Sequence, residues 1–218
     1  MLLSPVAAAD AFSELRERMV REQIEGRGIR NAAVLGAMRS TPRHEFIPKG
    51  AGPAYADHPL PIGFDATISQ PYVVALMTEL LKPEKTHRIL EVGTGSGYQA
   101  AVVSQLVSWV YTIEIVPELA RSARENLARL GYANITVRPA GDGFAGWPER
   151  APFEGILMTA APVEIPAALI AQLANGGRLV APVGPSRFQD LVLVEKSPEG
   201  KIRRSSYGGV SFVPMRRK

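Results

Sequence analysis

The 218-residue chain contains no cysteine and only three histidines, and these shortages remove several chemistries at once. Without cysteine there are no disulfides, no thiolate nucleophile and no cysteine-based metal site. His44, His58 and His87 show no metal-ligand spacing, so no metal is expected. Long apolar runs are also missing: nothing approaches the length of a membrane span, and residues 1–9, although apolar, lack a basic flank and are short for a secretory signal. The lack of cysteine is compatible with a reducing compartment, and a cytoplasmic protein with no membrane partner is the expectation. Basic residues exceed acidic ones, 25 against 21, for a net charge of +4 and a pI near 9.5. Lys201, Arg203, Arg204, Arg216, Arg217 and Lys218 gather near the C-terminus, but no stacking aromatics interleave them. They read as a solvated basic tail and not as a nucleic-acid groove, with the charge available to attract anionic substrates.

What the chain does have is 46% hydrophobic content and no low-complexity tract, enough for one full core. A single domain over 1–218 is expected, divided into 1–83 (helices and substrate-side loops), 84–185 (an α/β core) and 186–218 (C-terminal strands). The most informative stretch is Arg88-Ile89-Leu90-Glu91-Val92-Gly93-Thr94-Gly95-Ser96-Gly97, a buried-strand pattern that runs into a three-glycine turn and then a helical run. Such a turn lets backbone N–H groups approach a ligand, because glycine has no side chain in the way and reaches dihedrals closed to other residues. Glu114 closes the next strand-like run and Asp142 follows a third. Acids at successive strand ends lie along one edge of a parallel sheet, where open α/β folds bind ligands. The spacing leaves the cofactor open. Gly93-x-Gly95-x-Gly97 fits S-adenosylmethionine enzymes, whereas Gly95-x-Gly97-x-x-Ala100, with Glu114 near the expected offset, fits a dinucleotide site.

Along the chain, residues 10–25 read as an amphipathic helix with Phe12, Leu15, Met19 and Ile24 near one stripe and Gly26 at the exit. Asn31 can cap a short helix through Met38. From 42 to 71 there are six prolines and no sustained periodicity, an irregular length that in compact domains is usually a functional loop. It ends at a helix start with Ser69 or Gln70 as the cap, Pro71 in the first turn and Pro83 as the stop. Thereafter strands are expected at 88–92, 110–114, 134–138, 154–158 and 178–183, and helices at 97–106, 117–130 and 164–173. This is a Rossmann-like, mostly parallel sheet with helices on both faces. Ser197-Pro198-Glu199-Gly200 is turn chemistry between 190–196 and 201–207, so a C-terminal hairpin follows, with a last strand at 210–214.

Several blocks resemble the protein-L-isoaspartate O-methyltransferase family, in order: 41–48 (TPRHEFIP), 54–63 with Ala54-Tyr55-Ala56-Asp57 and Pro59-Leu60-Pro61-Ile62-Gly63, 66–72 (ATISQPY), 89–99, Gly141-Asp142-Gly143, Thr159-Ala160-Ala161-Pro162 and Phe212-Val213-Pro214. The Ile-Ser-Gln-Pro segment and the Phe-Val-Pro ending look specific to that family. The resemblance implies a class I S-adenosylmethionine-dependent methyltransferase. It would methylate the free α-carboxylate of L-isoaspartyl residues in damaged proteins and peptides, release S-adenosylhomocysteine and use no metal. It further implies that Gly93, Thr94, Gly95, Ser96 and Gly97 hold the methionine part and that Glu114 binds the ribose. Asp142 and Gly143 would face the adenine. Ser69 would be the active-site serine, with Thr67 and Ile68 beside it, and the strand near Val210 and Val213 would border the bound peptide. Glu91, a charge within an apolar strand, needs a partner and reads as support for the glycine loop or for the methionine amino group. A monomer is expected.

The chemistry of that reaction agrees with the shortages noted first. A carboxylate is already ionised at neutral pH and a sulfonium is already an activated electrophile, so no strong base or metal is demanded. Two rivals stand beside this reading. An NAD-dependent oxidoreductase would use the same turn and Glu114 but leaves 42–71 unexplained, and another methyltransferase of different substrate is compatible with the fold. One departure from relatives is visible: Asp65-Ala66 stands where many carry Gly-Gln.

Overall fold

The computed structural model describes residues 5–50, 52–185 and 188–217, with side chains from residue 11 onward; residues 1–4 and Lys218 of the basic tail lie outside the described residues. The first helix, α1 (Pro5–Arg18), begins earlier than its stripe suggested and continues through a wider π-type stretch, Met19–Ile24, and a 3-10 turn, Glu25–Arg27. Met19, Val20 and Ile24 are buried by that extension, and Gly28, not Gly26, takes the left-handed conformation that ends it. In α2 (Ala32–Ser40) the Asn31 side chain accepts from the N–H groups of Ala33 and Val34, the expected cap.

The irregular 42–71 stretch contains a short hairpin that its prolines concealed. Strands β1 (Leu60–Gly63) and β2 (Ala66–Ile68) pair antiparallel, joined at Phe64 and Asp65, both with positive φ (54° and 55°). Strands of four and three residues are too short to show alternation, and this turn lacks the glycine that would announce it. Helix α3 (Pro71–Leu81) follows with Pro71 at its first turn, and Gln70, not Ser69, occupies the cap position. It makes no cap bond with its own side chain.

The core alternates as expected: β3 (Arg88–Val92), α4 (Tyr98–Ser104), β4 (Trp109–Glu114), α5 (Pro117–Arg129), β5 (Ile135–Pro139), β6 (Phe153–Met158), α6 (Ala167–Gln172) and β7 (Leu173–Val183). Helix α6 is shorter than 164–173, because Pro162 and Pro166 hold the chain extended until 167. Strand β7 correspondingly starts five residues before 178, as its first residue is Leu173. β8 (Gln189–Lys196) and β9 (Ile202–Val210) form the terminal hairpin, and the seven-stranded sheet has the order β5-β4-β3-β6-β7-β8-β9. The first five in that order are parallel and the last two antiparallel.

Successive strand residues serve opposite faces. Ile89, Leu157 and Val180 pack with Val34, Met38, Val74, Met77, Leu81 and Val103 from α2, α3 and α4, whereas Leu90, Ile156 and Leu179 pack with Leu169 of α6 and with Phe153 and Leu173. Each such large side chain contributes about 1.5–3 kcal/mol by leaving water. The order of strand addition reverses at β3, with β4 and β5 on one side and β6 and β7 on the other, so the C-terminal ends of β3 and β4 open into a crevice at the switch point. The separate strand expected over 210–214 does not form. β9 ends at Val210, and the chain then crosses the sheet edge as a strap. The Gln189 side-chain amide pairs with both backbone groups of Phe212, and Ala161 exchanges bonds with Val213 and Met215.

Candidate functional site

Backbone geometry at the end of β3 creates the crevice. Gly93, Gly95 and Gly97 have φ of 103°, 53° and 89°, all in the left-handed region that favours glycine. At Gly93 a Cβ would lie 2.5 Å from Thr159 Oγ1, and that hydroxyl is itself committed to the carbonyls of Val92 and Gly93. At Gly143 a Cβ would lie 2.5 Å from Val92 Cγ1. Left-handed backbone and close packing against Thr159 therefore demand glycine at Gly93, close packing against Val92 demands it at Gly143, and the turn is a cradle with little side-chain bulk.

The cradle is tied to the next strand by an acid. Glu114 is 5% exposed, and its two carboxylate oxygens accept from Gly95 N at 2.8 Å and from Val116 N at 3.0 Å. Each oxygen keeps a lone pair for a ligand hydroxyl. Beneath the turn, Glu91 is fully buried and bonded through one oxygen to the Thr112 hydroxyl, which in turn lies 2.7 Å from Thr94 Oγ1. The other oxygen has no partner among the described residues, and burial pushes the Glu91 carboxyl up to about 8, with the nearby Glu114 adding to the rise.

The resulting cleft encloses about 920 Å³ of empty space, its open mouth included. Of the sequence-derived candidates, Thr67, Ile68, Ser69, Gly93, Thr94, Gly95, Ser96, Glu114, Gly143 and Val213 line it. Four do not. Glu91 sits below the turn and acts on it through Thr112 and Thr94. Gly97 is the cap of α4 and backs onto Leu127. Asp142 accepts from Phe144 N at 2.9 Å in a local turn and faces a neighbouring groove along 161–168. Val210 lines a second, outer groove, with Gln70, Val73, Phe188, Asp190 and Phe212.

Residues invisible to local pattern complete the cleft. Ile113, Ile115, Val116 and Leu119 form an apolar wall beside Gly141 and Gly143, suited to a flat base. The β1–β2 turn and the strap form a roof, where Arg216 approaches Asp65 at 3.5 Å across 151 residues of sequence. Nothing near Asp65 in the chain signals that contact; the Phe-Val-Pro ending was the single sequence hint that the C-terminus belongs to the site. The cleft and the outer groove share two residues, Thr67 and Ser69. Ser69 Oγ makes no hydrogen bond to another described residue, and no histidine or lysine lines either space. The arrangement suits two ligands meeting at Ser69.

Among the described residues no group of three or more His, Asp or Glu side chains is placed to hold a metal ion, and no helix is long and apolar enough to cross a membrane. The family described as protein-L-isoaspartate(D-aspartate) O-methyltransferase matches residues 14–218. Protein-L-isoaspartate O-methyltransferase 1 of Syntrophobacter fumaroxidans is 53% identical over 205 residues, covering 94% of this chain and 95% of that protein. A protein of the same name from Methanoculleus marisnigri is 53% identical over 208 residues, covering 95% and 94%. A solved protein-L-isoaspartate O-methyltransferase superposes with a TM-score of 0.82 at 30% identity, and the match spans 91% of this chain and 65% of that one. A Plasmodium falciparum structure described as a putative protein-L-isoaspartate O-methyltransferase in complex with S-adenosyl-L-homocysteine superposes at 0.79 with 23% identity, over 93% and 99%, a likeness of fold.

Proposed function

The chain belongs to the protein-L-isoaspartate(D-aspartate) O-methyltransferase family, and from that premise we propose how its two adjoining spaces divide the work of a repair methyltransferase. The enzyme transfers a methyl group from S-adenosylmethionine to the free α-carboxylate of L-isoaspartyl residues in damaged proteins and peptides. The cleft takes the cofactor and the outer groove takes the peptide. The observation that carries this division is that, among the described residues, the two spaces share Thr67 and Ser69 and no others.

The cofactor fits the residues present. The turn at residues 93–96 lines the cleft closely, the spare lone pairs of Glu114 suit the ribose hydroxyls, and the apolar wall with Gly143 suits the adenine. Asp142 acts at the adenine end through the turn it closes, and Glu91 acts through the glycine loop. When bound, the cofactor supplies a sulfonium methyl group, an electrophile that needs no further activation. The residues of the chain then orient and desolvate. Ser69 donates its hydroxyl to the acceptor carboxylate, Thr67 and Ile68 border the transfer line, and Val210 and Val213 flank the peptide. A carboxylate of pKa about 4 is already ionised, so Ser69 moves no proton. The isoaspartyl linkage places an extra methylene in the main chain and leaves the α-carboxylate free. A peptide held along the outer groove presents that group where an ordinary aspartate cannot. The chain works as a monomeric single domain in the cytoplasm, with residues 1–83 and 186–218 on the acceptor side and 84–185 on the cofactor side.

Ser69→Ala tests the reading. Turnover on an isoaspartyl peptide should fall on the order of ten- to a thousandfold, the effect of losing one orienting donor, with affinity for S-adenosylhomocysteine nearly unchanged. Wild-type turnover would return Ser69 to a structural role. Equal methylation of isoaspartyl and aspartyl peptides of otherwise identical sequence would overturn the substrate assignment while leaving the cofactor assignment intact.

A further inference from the structure

Ser69 stands in a two-residue linker between β2, which ends at Ile68, and α3, which starts at Pro71. Its direction depends on whatever fixes that linker. The start of α3 is poorly equipped to do so by itself: Gln70 makes no cap bond with its own side chain, and Pro71 offers no N–H. The missing cap is supplied from thirteen positions and more away. Asp57 Oδ1 accepts from Tyr72 N at 3.2 Å, while Asp57 Oδ2 accepts from Gln70 Nε2 at 2.8 Å and from Arg27 Nη1 at 2.6 Å. The Arg27 guanidinium also lies 3.5 Å above the Tyr72 ring, so Arg27, Asp57 and Tyr72 form one clamp. Three donors converge on a side chain that is only 23% exposed. A carboxylate can accept all three, whereas an amide offers one oxygen and turns its own N–H bonds toward a donor.

Asp57 therefore grips the chain on both sides of Pro71, immediately after Ser69, and it lines neither the cleft nor the outer groove. We infer that Asp57 is a positioning residue for methyl transfer, a cap borrowed from a distant loop that aims Ser69 at the junction of the two spaces. The inference rests on the reading of Ser69 as the residue that orients the acceptor carboxylate. A negative charge at the N-terminus of an 11-residue helix is also electrostatically favourable, which strengthens the grip.

The test is Asp57→Asn, which preserves size and removes the acceptor pattern, made in the wild-type chain and in Ser69→Ala. In the wild-type chain kcat on an isoaspartyl peptide should fall about tenfold or more, because misplacement of a reacting group is costly, while calorimetric affinity for S-adenosylhomocysteine stays within about twofold. In the Ser69→Ala background the same change should cost little further, since its target is already gone. Wild-type kcat in Asp57→Asn, a matching loss of cofactor affinity, or equal losses in both backgrounds would overturn the inference. Should Asp57→Asn fail to fold, Arg27→Leu decides: it removes one donor to Asp57 at a half-exposed position, and a lower kcat at unchanged cofactor affinity is expected, wild-type kcat being the contrary result. Wild-type turnover in Ser69→Ala would sink the Ser69 reading instead, so the two failures are separable.

Discussion

The cofactor half of the cleft is built from strand ends that follow one another in the chain, with residues 93–97 directly after β3 and Glu114 closing β4. The acceptor half draws on 57–73, 188–190 and 209–212, stretches brought together only by folding. The first half holds its ligand through backbone geometry that sterics enforce, as at Gly93, and through a buried carboxylate already bonded to two N–H groups. The second half is held by side chains reaching across the fold: Gln189 to Phe212, and Asp57 to Gln70 and Tyr72. The difference teaches that affinity and turnover are separable here. Changes in the first half should act on cofactor binding, and changes in the second on the transfer step.

The sharpest break on the cofactor side is Gly93→Ala. Its positive φ and the pinned Thr159 hydroxyl leave a methyl group nowhere to go, and strain of about 3 kcal/mol would weaken cofactor binding on the order of a hundredfold. Calorimetry with S-adenosylhomocysteine measures this. A variant with full affinity and reduced turnover would dissolve the distinction between the halves.

A smaller loss, about 1–3 kcal/mol of cofactor affinity, is expected for Glu114→Ala, which removes a charged acceptor and frees the Gly95 and Val116 N–H groups. The same titration checks it, and undiminished affinity would take Glu114 out of the ribose site. If turnover on saturating cofactor fell as well, the strand-end acid would be shaping the acceptor side too.

The remaining effect concerns stability and pH, and touches neither cofactor affinity nor the transfer step. Glu91 keeps its proton up to about pH 8 in the folded protein but releases it near 4.5 when unfolded. Between those values the folded state binds more protons, so the contribution of Glu91 to stability is complete below the unfolded value and is lost as pH rises toward 8. The slope is at most about 1.4 kcal/mol per pH unit. Glu91→Gln, permanently neutral, should flatten the decline, as read by denaturant unfolding of the cofactor-free protein across that window. Parallel curves for the two proteins would mean that Glu91 is ionised beneath the glycine turn.

The sheet was legible from residues 88 to 183 because buried parallel strands announce themselves as apolar runs and glycine and proline punctuate the joints between them. Ends were less secure: β7 begins at Leu173 and α6 only at Ala167, since pairing with β6 overrides local preference. The glycine turn and the strand-end acid marked a nucleotide-type site and left its cofactor open, and the family blocks pointed to S-adenosylmethionine and to Ser69. Sequence also placed Glu91, Gly97 and Asp142 at the cofactor, and folding sets each one step back from the cleft: proximity along the chain determines which turn a residue belongs to, not which side of that turn it faces. The β1–β2 hairpin, the strap over 211–216, the Asp65–Arg216 approach and the Asp57 clamp had no local signature. Each joins short or irregular pieces distant in sequence, and neither period nor spacing records such a partner. By itself, then, the sequence determined the parallel core and the chemistry it carries, because steric and hydrophobic preferences of neighbouring residues act locally. Only the tertiary structure decided how the linker that carries Ser69 is held, because the fold brings the Asp57 carboxylate to Gln70 and Tyr72 from a distant loop.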